Sequence, residues 1–270
     1  MSEVQRIVLR MQGGFCNRLR AIVSGVLWAE DLKCSLQIYW PVEPGHMACA
    51  FEEIIEPSSI PYLTLYRPAY LVNARQVLCP EDMKLVVEKF CTENEVRIQS
   101  YSEFHSELRK ERGLTVLRNI RFATELYREA ELQWRIIEGS SDRIGVHFRG
   151  TDHVKCLRAS PISSFFTFFD SLHGSPPLVL VTDEQSVKEE FLSRYGRIVV
   201  GITNLELGRR TSRQQKAGVV EWLLLQKCGS IVGSLGSSYS ELAALRAGCP
   251  YTPISSETVA ILGELAAAKE

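Results

Sequence analysis

A chain of 270 residues with 31 Lys and Arg against 32 Asp and Glu carries a formal net charge of −1, a balance that recruits neither nucleic acid nor an anionic membrane as a bulk partner. Its 45% apolar and 23% charged residues are those of a soluble globular protein, and no apolar run approaches the roughly 18 residues needed to span a bilayer. The length exceeds one ordinary core and predicts two α/β domains. Met1 to Gln5 lacks the basic-then-apolar plan of a signal peptide, which predicts a cytoplasmic protein.

In chain order, a β-prone run at Arg6 to Met11 leads into Gly13-Gly14-Phe15-Cys16-Asn17-Arg18 and a long amphipathic stretch to Leu32. With a second strand at Ser35 to Trp40, this is a βαβ unit that founds a parallel sheet. The middle is less regular. It offers a loop at Pro44 to His46, a short helix at Phe51 to Ile55, strands near Tyr62 to Tyr66 and Val96 to Ser100, and helices over Ser102 to Arg112 and Ile120 to Ile137. Gly139 to Asp142 is small and polar and is taken as the linker, giving domains 1–139 and 140–270.

Past the linker the alternation is stricter. Strands are expected at Ile144 to Phe148, Leu178 to Thr182, Ile198 to Val200 and Ser230 to Gly233. Helices are expected at Pro161 to Leu172, Glu184 to Tyr195, Ser212 to Lys227, Ser237 to Ala247 and Glu257 to Ala268. This is the pattern of a second Rossmann-like domain.

Four constellations could carry chemistry. His147-x-Arg149-x-Thr151-Asp152 ends a buried strand, where a guanidinium must be paired or face a ligand, and its fork suits a diphosphate. His147 could hydrogen-bond that ligand or satisfy itself in the core. Gly13 and Gly14 open a helix whose amides favour an anion, while Asn17 either faces the ligand with Arg18 or caps the helix. Ser237, Ser238 and Tyr239 begin another helix after a strand, where hydroxyls can reach phosphate oxygens or cap the helix. Thr182 and Asp183 end a further strand, suited to ribose hydroxyls or to capping. Glu221, in an otherwise apolar helix, either accepts from a purine's ring NH and amino group or lies on a solvated helix face.

The eight cysteines, Cys16, Cys34, Cys49, Cys79, Cys91, Cys156, Cys228 and Cys249, include no C-x-x-C pair and read as reduced, mostly buried thiols. Cys16 alone sits where a helix dipole could activate a thiol. No D-x-D pair or His–carboxylate cluster has metal-ligand spacing, so no metal and no cofactor is expected. The glycine turn is neither G-x-G-x-x-G nor a Walker loop, and the G-x-S-x-G elbow of a hydrolase is absent.

Together, Gly13 to Arg18, His147 to Asp152, Thr182-Asp183, and Glu221 with Ser234 to Ser238 resemble the motifs of the fucosyltransferase superfamily that includes α1,6-, α1,2-, nodulation and protein O-fucosyltransferases. The resemblance covers about half the chain and leaves Pro41 to Glu138 unmatched. It implies a GT-B fold, two Rossmann-like domains facing across a cleft, with a glycan acceptor held mainly by the first and a nucleotide-sugar donor by the second. It also implies inverting, metal-independent transfer, most simply of L-fucose from GDP-fucose, with Arg149 on the β-phosphate and Glu221 standing where an Asp reads guanine. Asn17 and Arg18 would then face the reacting centre. UDP-xylose is a rival donor, because Glu221 is one methylene longer than Asp and uracil also presents a ring NH. Gly150 replaces a second arginine of the α1,6 members, and no acid follows Asp152 where those members place a base. Asp152, His153, Glu43 and His46 are therefore the candidate bases by chemistry alone. A nucleotide-sugar-binding protein without catalysis, acting as a sensor or scaffold, is the alternative.

Overall fold

The computed structural model describes residues 4–67, 74–77, 83–138, 140, 142–150, 154–172, 177–196, 199–201 and 208–260. The chain forms two compact units, Met1–Leu126 with Gly208–Val219, and Tyr127–Leu207 with Val220–Glu270. The division therefore differs from the expected break near Gly139. It falls within two helices, α4 (Thr124–Ile136) and α8 (Ser212–Leu225), and the segment 208–219 rejoins the first unit.

In the first unit, β1 (Arg6–Met11) lies between β2 (Ser35–Tyr39) and β6 (Glu95–Ser100), parallel to both. β3 (Leu63–Arg67) extends the sheet beside β2, β4 (Arg75–Gln76) lies beside β6, and β5 (Cys91–Thr92) pairs antiparallel with β6. Ile7, Leu9, Leu36, Ile38 and Ile98 are fully buried, as strands covered on both faces require. Over them lies α1 (Phe15–Leu32), which buries Leu19, Ile22, Val26 and Trp28 and ends where Lys33 takes a left-handed conformation and donates its N–H to the carbonyls of Ala29 and Glu30.

Two expected helices here take other forms. Residues Phe51 to Ile55 make a single turn, after which Ile55 bridges Phe122 and Glu56 N–H donates to Arg121 O at 2.9 Å. The stretch from Ser102 is held as turns, and α3 (Glu111–Asn119) begins only after Lys110. Tertiary contacts decide this: Phe104 N–H donates to the buried Ser24 Oγ at 3.1 Å, and Phe104 packs edge-on against Trp28. A helix α2 (Met83–Phe90) was not anticipated.

The second unit has one parallel sheet in the order β11 (Tyr251–Ile254), β10 (Ser230–Ser234), β7 (Ile144–Phe148), β8 (Leu178–Thr182), β9 (Val199–Gly201). Helices α6 (Ile162–Asp170), α7 (Gln185–Tyr195) and α9 (Ser238–Ala247) stand at or near their expected places. A short α5 (Val154–Ala159) and β11 are additional. β11 contains Pro253, which an edge strand tolerates because one side of its backbone has no ladder to supply. Val146, Phe148, Phe165, Leu180, Phe191 and Val232 form the core. The last expected helix is described only as far as residue 260.

Candidate active site

In the first unit, β1 delivers the chain to a left-handed Gly13 at φ 72°, where a Cβ would stand 3.0 Å from Asn17 Nδ2. The left-handed backbone there favours glycine. α1 then opens with Arg18 N–H donating to Gly14 O at 3.1 Å. Asn17 does not cap this helix with its side chain; its Oδ1 accepts from Arg20 Nη2 at 2.8 Å. Cys16 is buried, so the thiol reading has no accessible sulfur.

Arg18 corrects an expectation. Its side chain has no exposed surface, so it does not present its fork at the sheet edge. Nε donates to Gly13 O at 2.8 Å, Nη1 donates to Pro41 O at 2.8 Å, Nη2 lies 3.5 Å from Glu43 Oε2, and the guanidinium stacks on Trp40 at 4.6 Å. A buried charge is tolerated when it is paired and hydrogen-bonded, and the bonds to Gly13 O and Pro41 O tie the glycine turn to the loop after β2. Replacing Arg18 with Met should therefore lower stability by about 2–4 kcal/mol, since it leaves the Gly13 and Pro41 carbonyls without their donors. Chemical denaturation would read this, and a loss below about 1 kcal/mol would remove the scaffold role. A Cβ at Gly14 would stand 3.8 Å from His46 O, and one at Gly13 would stand 3.5 Å from Tyr101 Cβ. Gly13, Gly14, Asn17, Glu43 and His46 consequently gather at the carboxyl edge of this sheet.

In the second unit, parallel register brings Phe148 beside Thr182 and His147 beside Gly233, so β7, β8 and β10 end together. His147 is buried; its Nδ1 lies 3.4 Å from Ser237 Oγ, and its ring stacks on Tyr239 at 4.6 Å between centroids. The Ser237 hydroxyl thus turns to His147 and makes no side-chain cap for α9, although the backbone places Ser237 at the N-cap. Ser238 follows, also buried. Tyr239 is fixed from behind by Trp222, whose Nε1 donates to Tyr239 O at 2.9 Å, a contact that sequence patterning did not disclose.

Arg149 follows β7, part-buried, with its backbone N–H donating to Ser234 Oγ at 3.1 Å. Gly150 N–H donates to Asp183 Oδ1 at 2.7 Å, and Thr182 Oγ1 accepts from Glu184 N–H at 3.2 Å. In these contacts the Thr182 hydroxyl holds the start of α7, and one carboxylate oxygen of Asp183 holds the β7 loop. Gly150 also gains a reason. A Cβ there would stand 2.7 Å from Glu184 Cβ and 2.6 Å from Glu184 Oε2, so any side chain would displace Glu184. Of the expected site, Thr151, Asp152 and His153 lie outside the described residues.

Glu221 lies near Asp183 and Lys188. Desolvation pushes its carboxyl up to about 8, which Lys188 offsets in part and Asp183 reinforces. Burial thus favours the neutral acid over the carboxylate near neutral pH. Among the described residues no group of three or more His, Cys, Asp or Glu is placed to hold a metal ion, and no helix is long and apolar enough to cross a membrane.

The mixed α/β architecture with parallel sheets is that of solved fucosyltransferases. Fucosyltransferase NodZ from Bradyrhizobium aligns with a TM-score of 0.61 and 16% identity, over 88% of this chain and 92% of that one. NodZ α-1,6-fucosyltransferase co-crystallised with GDP gives 0.61 and 16% over 88% and 91%, and POFUT1 in complex with GDP-fucose gives 0.58 and 11% over 94% and 98%. At such identities the likeness is one of fold. No protein-family model matches the chain, and no curated protein sequence matches it.

Proposed function

We propose that this chain is a glycosyltransferase of GT-B architecture that moves L-fucose from GDP-fucose to a glycan hydroxyl with inversion and without a metal. The observation that carries the reading is the end of β7. There Arg149 stands beside the Ser234–Tyr239 turn, with His147 packed on Tyr239, in a chain sharing its fold with fucosyltransferases solved with GDP and GDP-fucose. Strand ends of parallel sheets next to a helix N-terminus suit a nucleotide diphosphate.

In the proposed reaction, the acceptor oxygen bonds to the sugar's anomeric carbon from the face opposite the diphosphate, and the carbon–oxygen bond to that diphosphate breaks. Arg149 takes up the charge that develops on the departing group. His147, Ser237, Ser238 and Tyr239 shape the diphosphate pocket, Gly13, Gly14 and Asn17 serve the reacting end, and Glu221 meets the base. The acceptor's proton goes to one of Glu43, His46, Asp152 and His153. Arg18 acts by holding the glycine turn and Glu43 in place.

The test is thermal shift and nucleotide release with GDP-fucose, GDP-mannose, UDP-xylose and UDP-glucose. GDP-fucose is expected to raise the melting midpoint most and to release GDP when a glycan acceptor is supplied. No shift with any donor would remove the nucleotide-sugar reading. Binding without release in the presence of every acceptor tried would favour a non-catalytic sensor or scaffold.

A further inference from the structure

The two peptide groups that carry the chain out of β7 are held from opposite sides. Ser234, at the end of β10, accepts the Arg149 N–H at 3.1 Å, and Asp183, just past β8, accepts the Gly150 N–H at 2.7 Å. β10 and β8 are the two neighbours of β7, so the grips come from both flanks. Ser234 is 1% exposed and remains ordered by its strand, while Glu184 packs over Gly150 closely enough to exclude a Cβ there. The segment of Glu184 is itself pinned by its N–H to Thr182 Oγ1. Ladder hydrogen bonds stop at a strand end, and the next peptides would otherwise be free to rotate, swinging the side chain between them.

We propose that Ser234 and Asp183 are positioning residues that lock the two peptide groups flanking Arg149 and thereby aim the Arg149 guanidinium. This rests on the reading of Arg149 as a diphosphate-binding group. The Asp183 grip is the stronger, because a carboxylate accepting an N–H makes a charge-assisted bond. Precision matters here because a displacement of about 1 Å in a group that binds the reacting centre costs on the order of 100-fold in rate.

The experiment is a double-mutant cycle read in GDP affinity by calorimetry, which needs no acceptor. Arg149→Ala should weaken GDP binding strongly. Asp183→Ala and Ser234→Ala should each weaken it about tenfold beside Arg149, yet by less than about twofold in the Arg149→Ala background, since they act only through that side chain. Asp183→Asn should recover most of the Asp183→Ala loss, because its amide oxygen still accepts the Gly150 N–H. Equal losses in both backgrounds would overturn the proposal and make Asp183 a direct ligand contact. Unchanged affinity in both alanine variants would overturn it as well. If Arg149→Ala itself leaves GDP affinity intact, the diphosphate reading fails and the proposal with it, an outcome separate from the other two. Should Asp183→Ala not fold, Ser234→Ala and Asp183→Asn complete the cycle.

Discussion

Arg149→Ala is expected to reduce sugar transfer by at least about 10²–10³-fold while leaving the fold intact, the usual cost of removing one preorganised group that meets developing charge. Two features make the effect specific. The backbone N–H of Arg149 donates to Ser234 Oγ, a bond that survives truncation of the side chain, and β7 itself is held by its ladders to β8 and β10. Arg149→Lys should restore only part of the rate, because an ammonium offers a point charge without the planar fork that grips two phosphate oxygens. Release of GDP from GDP-fucose with acceptor, alongside a circular-dichroism melt, measures both halves of this expectation. Near-normal turnover in the alanine variant would end the assignment of Arg149 to the leaving group.

The second large effect concerns Glu221 and has a definite sign. Its carboxyl titrates near 8 when folded and near 4.5 when unfolded, because burial penalises the charged form. Between those values the native state holds a proton that the unfolded state has released, so stability falls as pH rises through that window. Below about 4.5 both states are protonated and the penalty disappears. Glu221→Gln removes the titration while keeping the shape of the neutral acid. The two proteins should therefore melt alike near pH 4, and the Gln variant should be the more stable by roughly 4 kcal/mol near pH 8, with the slope between them at most about 1.4 kcal/mol per pH unit. Comparing the two across pH cancels the other titrating groups. A constant difference between pH 5 and pH 8 would show that Glu221 is not held neutral. If a base edge with two N–H donors binds this group, binding should also release a proton near neutral pH, visible as a buffer-dependent calorimetric enthalpy.

Elements whose signal is local were legible in the amino-acid pattern alone. Arg6 to Met11, Ile144 to Phe148 and Leu178 to Thr182 are short runs of β-branched and aliphatic residues bounded by turn residues, and each became the anticipated strand. The grouping of His147, Arg149, Ser237 and Tyr239 was also legible, since strict strand–helix alternation forces parallel strands to end at one edge. Tertiary structure decided the rest. Ser102 to Lys110 has helical periodicity, but Ser24 and Trp28 on α1 capture Phe104 and its N–H, outweighing a propensity of a few tenths of a kcal/mol per residue. Chain order gives no hint that residues 208–219 return to the first unit. The contacts of Arg18 and Asp183 and the protonation of Glu221 were not legible in the sequence for a common reason. A residue type announces its charge and donors, while whether they meet a ligand or a neighbouring backbone depends on burial and on partners distant in sequence: Pro41 for Arg18, Gly150 for Asp183, and for Glu221 the surroundings that keep its proton on.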